Sequence, residues 1–231
     1  MAPPAILEPS VTLPGAAGDE PLKTVPVTQV EVSQDDDDST IKTVDELVRR
    51  RARAHPDRVI VSYPSSGIEY VDYTMKQLDV YAFRAAKHYQ QFLPTRRSSD
   101  EKPLVIALLG KSDFNYLVTM LALTKLGHTT LFLSTRISQE AIDNLLQLTG
   151  AEYFVVDERH HEIAEAAQKS LGLKGVVQIP GRSTYDFPIE VYADTRMDHD
   201  LDLSIETNNR VYIIHSSGKI PLRRMAEEYP N

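Results

Sequence analysis

Cysteine is absent from the 231 residues, which rules out a disulfide framework, a Cys-ligated zinc or iron–sulfur site and a thiol nucleophile. Long apolar runs are absent too. The longest, around Tyr116 to Leu133, is broken by Lys125, Gly127 and His128, and the opening MAPPAILEPSVTLPGAAG has no basic segment followed by an apolar run of signal-peptide length. A cytoplasmic protein without a membrane span is expected. Basic stripes are lacking as well: residues 1–40 hold eight acids against Lys23 alone, so that segment carries −7 of the formal −8 and the remaining 191 residues are almost neutral. With nothing to track a phosphate backbone, nucleic-acid binding is not expected. No internal repeat and no Gly-x-Ser-x-Gly elbow of a serine hydrolase is present.

What is there is 42% hydrophobic residues in a length that allows one sizeable core. Six of the fourteen prolines fall in the first 40 residues beside the Asp35–Asp38 run. Residues 1–40 therefore read as a disordered acidic, Pro-rich tail; four adjacent aspartates lack the alternating spacing and loop glycine of a calcium hand.

Thr43-Val44-Asp45-Glu46 has the form of a capping box opening a short helix that closes before Pro56. Val59 to Tyr63 and Ile68 to Tyr73 read as a hairpin around Ser65-Ser66-Gly67. Thr74-Met75-Lys76-Gln77 is a second capping box, with Leu78, Tyr81, Ala82, Ala85, Ala86 and Tyr89 at helical spacing up to about Leu93. From Pro103 strands and helices alternate: strand Leu104 to Leu109, helix Asp113 to Leu126, strand Thr129 to Leu133, helix Ser138 to Thr149, strand Tyr153 to Val156, a helix from about His160 to Leu171, and strand Gly175 to Ile179. Near-continuous apolar strands between amphipathic helices predict an α/β fold with a mostly parallel sheet covered by helices. Beyond Pro180-Gly181 the periodicity fades, with a short strand expected at Ile189 to Tyr192 and a last one at Val211 to Ile214.

Ligands of open parallel sheets bind outside the carboxyl ends of strands, and His215-Ser216-Ser217-Gly218 follows such a strand. Ser216, Ser217 and Gly218 are the candidate phosphate-binding residues; a short Ser/Gly cluster on its own is more often just a turn. Gly110-Lys111-Ser112 resembles the tail of a Walker loop, but Val105 stands where the first glycine is required, and the segment reads as a strand-to-helix turn capped by Ser112. His160, His161, Glu162 and His199 have no spacing that would place two histidines on one helix face, so no metal ligands are assigned. No catalytic residues are assigned either.

The order of these segments resembles the N-terminal portion of the adenylate-forming superfamily of acyl-CoA synthetases, luciferases and nonribosomal peptide synthetase adenylation domains, most of all fungal synthetase-like adenylation domains. Three stretches carry the likeness: Tyr70 to Asp79, Leu121 to Leu133, and Tyr212 to Gly218, which is similar to the start of the family's phosphate loop. The resemblance covers about residues 41–218 and implies a partial adenylation domain, with 219–231 as a divergent C-terminal tail. It implies ATP, Mg2+ and a carboxylic acid as the small molecules, joined to give an acyl-adenylate. After Gly218 the chain reads Lys219-Ile220-Pro221-Leu222-Arg223-Arg224, without the family's further hydroxyl residues and glycine. The expectation is a truncated, inactive relative of an ATP-dependent acid ligase. Two alternatives stay open: an interaction module or one half of a split enzyme whose partner carries the missing half, and an unrelated doubly wound nucleotide-binding domain.

Overall fold

The computed structural model describes residues 40–66 and 68–215. Residues 1–39 of the expected tail, Gly67 of the hairpin turn, the candidate phosphate residues Ser216, Ser217 and Gly218, and the 219–231 segment lie outside the described residues.

Helix α1 (Val44–Ala54) opens as its residues dictate, with the Thr43 hydroxyl accepting from the Glu46 N–H at 3.2 Å. The expected reciprocal bond does not form: Glu46 Oε2 accepts from the Lys42 N–H at 2.9 Å, and Oε1 holds Arg50 at 2.5 Å. One residue of shift satisfies a neighbouring backbone donor and frees the acid for an ion pair. Strands β1 (Val59–Ser66) and β2 (Glu69–Thr74) pair antiparallel as a separate two-stranded unit. Helix α2 (Met75–Tyr89) follows directly, and here both halves of the capping box form between Thr74 and Gln77.

The main sheet is built from β3 (Val105–Leu109), β4 (Thr129–Phe132), β5 (Ala151–Val156), β6 (Gly175–Gln178) and β7 (Tyr212–Ile214). All pairs are parallel, in the order β6-β5-β3-β4-β7. The connecting helices are α3 (Phe114–Lys125), α4 (Gln139–Thr149) and α5 (His161–Leu171). Alternation along the strands feeds two cores. Ile106, Leu108, Val155 and Val177 meet Tyr81, Ala85, Tyr89, Val118 and Ala122 of α2 and α3 on one face. Ala107, Leu109, Leu131, Phe154 and Val156 meet Ile142, Leu146, Ala164 and Ala167 of α4 and α5 on the other. This is the expected α/β class with a parallel sheet flanked by helices.

Two expectations fail locally. Ser112 does not cap α3; Asp113 does, its carboxylate accepting from the Tyr116 N–H at 3.1 Å, so the turn before the helix is one residue longer. No strand forms at Ile189 to Tyr192, and the chain from Gly181 to Arg210 is irregular apart from a 3-10 turn (Arg182–Thr184) and the one-turn helix α6 (Leu203–Glu206).

That irregular stretch is nevertheless tied down by side chains. The Arg84 guanidinium donates to the carbonyls of Tyr185, Phe187 and Pro188 at 3.0, 2.5 and 3.0 Å and lies 3.5 Å over the Phe187 ring. Asp79, fully buried on α2, accepts from the Tyr192 hydroxyl at 2.8 Å and the Thr195 hydroxyl at 2.6 Å. Lys125, also buried, bridges Asp79 at 2.8 Å and Asp45 of α1 at 2.7 Å. Burial alone would raise the Asp45 pKa, but Lys125 and Arg49 outweigh it and hold the carboxyl below its ordinary value. Further on, buried Arg96 pairs with Glu206 of α6 at 2.5 Å, and Ser99 and Asn209 donate to the same carboxylate.

Removing one partner of a buried ion pair strands the other. We expect Asp79→Ala to cost about 3–5 kcal/mol in denaturant unfolding. The double variant Asp79→Leu/Lys125→Met should recover only part of that loss: Asp45 keeps Arg49 at 2.8 Å, but the Tyr192 and Thr195 hydroxyls stay without the carboxylate they donate to.

Candidate functional site

The carboxyl ends of the parallel strands place five loop starts side by side: Gly110 after β3, Leu133 after β4, Asp157 after β5, Ile179 after β6 and His215 after β7. In chain order β3 and β4 grow the sheet one way, while β5 and β6 return to the other side of β3. The reversal of strand order therefore falls between β3 and β5, where open α/β sheets usually leave a ligand crevice.

Here that crevice is filled by the chain's own groups. Asp157 Oδ2 accepts from the Lys111 N–H at 2.9 Å, and Oδ1 takes both the His160 N–H at 3.1 Å and the His160 ring Nδ1 at 2.6 Å. Gly110 suits this close packing: a Cβ would stand 3.0 Å from Ile179 Cδ1 and 3.3 Å from Asp157 Oδ2, and those side chains would have to give way by a few tenths of an ångström. Burial works to raise the Asp157 pKa, but its bonds to His160 and to the Lys111 N–H win and hold the carboxyl below its ordinary value. The Walker-like Gly110-Lys111-Ser112 segment is thus a strand-to-helix turn pinned by a carboxylate. The Lys111 N–H of that turn is spent on Asp157.

At the other side of the sheet the loop ends are more open. Among the described residues β7 pairs with β4 alone, in register Thr130↔Tyr212, Leu131↔Ile213 and Phe132↔Ile214, and Ile214 is 72% exposed. Beyond the last pair, the Ser134 N–H donates to His215 Nε2 at 3.2 Å, and the Ser134 hydroxyl accepts from the Arg136 N–H at 3.2 Å. The candidate residues Ser216, Ser217 and Gly218 continue directly from His215 and lie outside the described residues, so no geometry is assigned to them. Their starting point is fixed: the end of an edge strand beside β4.

The histidines do not converge. His160 belongs to the Asp157 cap, His161 faces Glu165 at 3.4 Å on an exposed helix surface, and His199 bonds the Lys125 carbonyl at 3.0 Å at the opposite end of the sheet. Among the described residues no group of three or more His, Asp or Glu side chains could hold a metal ion. The Mg2+ implied by the family resemblance thus has no fitting ligand set there, and no step is routed through it. The Asp157 and His215 contacts were not singled out from sequence. Asp157 had a usable signal, an acid directly after an apolar strand and three residues before His160; His215 had only its place beside the Ser-Ser-Gly turn.

A match to the family described as AMP-binding enzyme spans residues 48–218 and takes in the three candidate residues. This chain belongs to the AMP-binding enzyme family. Among individual proteins it is similar to the non-ribosomal peptide synthetase ascB of Acremonium egyptiacum, 32% identical over 63% of this chain and 14% of that one. It is also similar to the adenylate-forming reductase stbB of Stachybotrys bisbyi, 28% identical over 75% of this chain and 17% of that one. The chain therefore spans only a small part of the length of these relatives. Its fold is similar to part of that of a fatty acyl CoA synthetase of Mycobacterium tuberculosis, with a TM-score of 0.54 at 15% identity over 79% of this chain and 34% of that one. The N-terminal domain of FACL13 from the same organism gives 0.53 at 16% identity over 78% and 42%. No helix among the described residues is long and apolar enough to cross a membrane.

The Asp157 clasp makes a pH-dependent prediction. A carboxylate whose folded pKa is depressed contributes stability above its unfolded value and loses it as pH falls through the folded value. Asp157→Ala should cost about 1 kcal/mol at neutral pH. The gap from the parent should persist down to the ordinary value of 3.8 and close below it, in unfolding curves taken across acidic pH.

Proposed function

We propose that this chain supplies the phosphate-side part of a domain that activates carboxylic acids. In that reaction a carboxylate oxygen attacks the α-phosphorus of ATP, forming the acyl–phosphate bond and breaking the α–β anhydride, with pyrophosphate leaving. Ser216, Ser217 and Gly218 would hold the phosphates through hydroxyl and backbone N–H groups. The domain would run over residues 41–218, between the acidic 1–40 segment and the divergent 219–231 segment. The observation that carries the reading is the family match over 48–218, combined with an all-parallel sheet that brings residue 215 to the carboxyl end of β7.

A few loop hydrogen bonds offset little of the cost of immobilising a triphosphate, so the ATP dissociation constant should be on the order of millimolar in titration calorimetry. Gly218→Val should weaken it further. Acid-dependent exchange of labelled pyrophosphate into ATP is expected to stay at background for the chain alone, since the described residues offer no acid cluster for Mg2+. Robust exchange with any carboxylic acid would overturn that expectation.

A second reading is favoured by apolar side chains left in solvent, Ile68, Tyr70 and Val71 on the hairpin and Ile214 at the sheet edge. In it the chain works beside a polypeptide that carries further adenylation-domain elements. Sedimentation of the purified chain with and without such a polypeptide would test it, and two independent monomers at micromolar concentration would count against it.

A further inference from the structure

The amino ends of β3, β4 and β7 carry a second concave feature, at the opposite end of the sheet from the loops described above. A cleft of about 480 Å3 opens between α1, the exit of α3 at Gly127 and His128, and the chain from Arg196 to Val211. That volume is in the range of small-molecule sites. Val44, Met197, Leu201, Leu203 and Val211 supply apolar lining, and Arg49, Arg50, Arg53 and Arg196 bring guanidinium groups.

Three of the four carboxylates that line the cleft are already committed. Asp45 accepts from Lys125 and Arg49, Glu46 from Arg50 and the Lys42 N–H, and Glu206 from Arg96, Ser99 and Asn209. The fourth, Asp200, is exposed. Arg53 and Arg196 meet on one acid, Asp194, at 3.1 and 2.6 Å.

Arg49 differs from the other arginines in burial. Its side chain is 13% exposed, against 46%, 52% and 66% for Arg50, Arg53 and Arg196. Its Nε donates to Asp45 Oδ2 at 2.8 Å, while the two terminal amines have no hydrogen-bond partner among the described residues and are not sealed from solvent. Withdrawing a guanidinium from water carries a cost that hydrogen bonds must offset, and here two donor groups of a cleft-lining side chain are unspent. Nη1 and Nη2 form a planar fork that matches the two oxygens of a carboxylate. Apolar side chains in the same cleft suit an acid with an apolar body, since a hydrated inorganic ion gains nothing from Val44 or Leu203.

We propose that this cleft is a binding site for a small organic acid, whose carboxylate takes the Arg49 fork and whose apolar body lies against Met197, Leu201 and Leu203. The site is across the sheet from the exit of β7, so it does not rest on the phosphate reading and stands or falls separately. Because α1 forms one side of the cleft, an occupant would tie α1 to the segment from Arg196 to Leu203, adding to the link that Lys125 makes with Asp45.

The test uses the full 231-residue chain, with benzoate as the probe and NMR titration of the backbone amides as the readout. Benzyl alcohol keeps the ring without the charge, and inorganic phosphate keeps a charge without the ring. Benzoate should shift amides of α1 and of Arg196 to Leu203 with a dissociation constant on the order of millimolar, about fivefold or more tighter than either control. Two variants probe the two halves of the site. Arg49→Gln removes the charged fork while Lys125 still holds Asp45 at 2.7 Å. Leu203→Glu sets a carboxylate among the apolar groups at a position already 38% exposed, and leaves every ion pair of the cleft in place. Each should weaken benzoate binding about fivefold or more.

No benzoate shift in these segments at tens of millimolar overturns the site, and so does parent-like affinity in Leu203→Glu, which decides alone if Arg49→Gln fails to fold. Parent-like affinity in a folded Arg49→Gln overturns the fork and the site with it. Phosphate binding as tightly as benzoate overturns the organic acid as the ligand class, and benzyl alcohol binding as tightly overturns the carboxylate.

Discussion

A strand with no exposed side chain on either face leaves the rest of a sheet little freedom, and β3 is such a strand. Ile106 to Leu109 are completely buried, the even positions against α2 and α3 and the odd ones against α4 and α5. A slip of one residue would send Ala107 and Leu109 to the face shaped for Ile106 and Leu108, so the register is fixed by volume on both sides at once. Because β4 and β5 both pair with β3, their registers inherit that constraint, and β7 inherits it at one remove through β4. The level at which each loop leaves the carboxyl edge is thus decided in the core, well away from any ligand.

The position of β7 also needs a path for the chain. After β6 the chain lies at one edge of the sheet, and β7 must be added at the other. The intervening residues have no periodic apolar face with which to find that path. Buried polar groups direct them instead: Arg84 collects three carbonyls, Asp79 takes Tyr192 and Thr195, and Arg96 meets Glu206 just before the chain turns into β7. Such bonds gain little net energy over water, but each is expensive to leave unmade, so together they penalise every other path. Lys125 extends the same logic to α1, which is held by Asp45 as well as by its apolar face. The turn out of α3 adds a backbone requirement: Gly127 adopts φ +79° beside Arg96 and Leu201, a conformation that favours glycine.

This division explains what the amino-acid pattern revealed. Elements whose stability comes from periodic burial were legible to within a few residues: the βα alternation from Val105 to Gln178 and the full capping box at Thr74. Elements decided by long-range polar pairing were not. Asp79 and Lys125 stand in ordinary helical sequence, and their partners lie 116 and 80 residues away in the chain for the Thr195 and Asp45 contacts. The same is true of Glu46, whose carboxylate left the capping box for Lys42 and Arg50, and of Ile189 to Tyr192, where a β-prone run was overridden because the Tyr192 hydroxyl reaches a buried carboxylate. Of the site, the last strand at Tyr212 to Ile214 was legible; its place beside β4 and the closing of the β3–β5 crevice were not, the latter because it depends on a single acid, Asp157, reaching across to another strand's loop.

That closed crevice bears on where a phosphate can be held. In a doubly wound sheet the reversal point is the usual opening because adjacent loops diverge there, leaving backbone donors unpaired. Here Asp157 consumes the Lys111 and His160 donors, and its negative charge would repel a phosphate placed above it. The edge beside β4 has the opposite character. Its loops are linked through His215 Nε2, which accepts from the Ser134 N–H, and Arg136 lies in the same turn. At both places described backbone donors are taken by the protein itself, those of Lys111 and His160 by Asp157 and those of Ser134 and Arg136 by His215 and the Ser134 hydroxyl. The contrast between them is therefore one of charge in the capping acceptor, a carboxylate at the reversal point and a ring nitrogen and a hydroxyl at the edge.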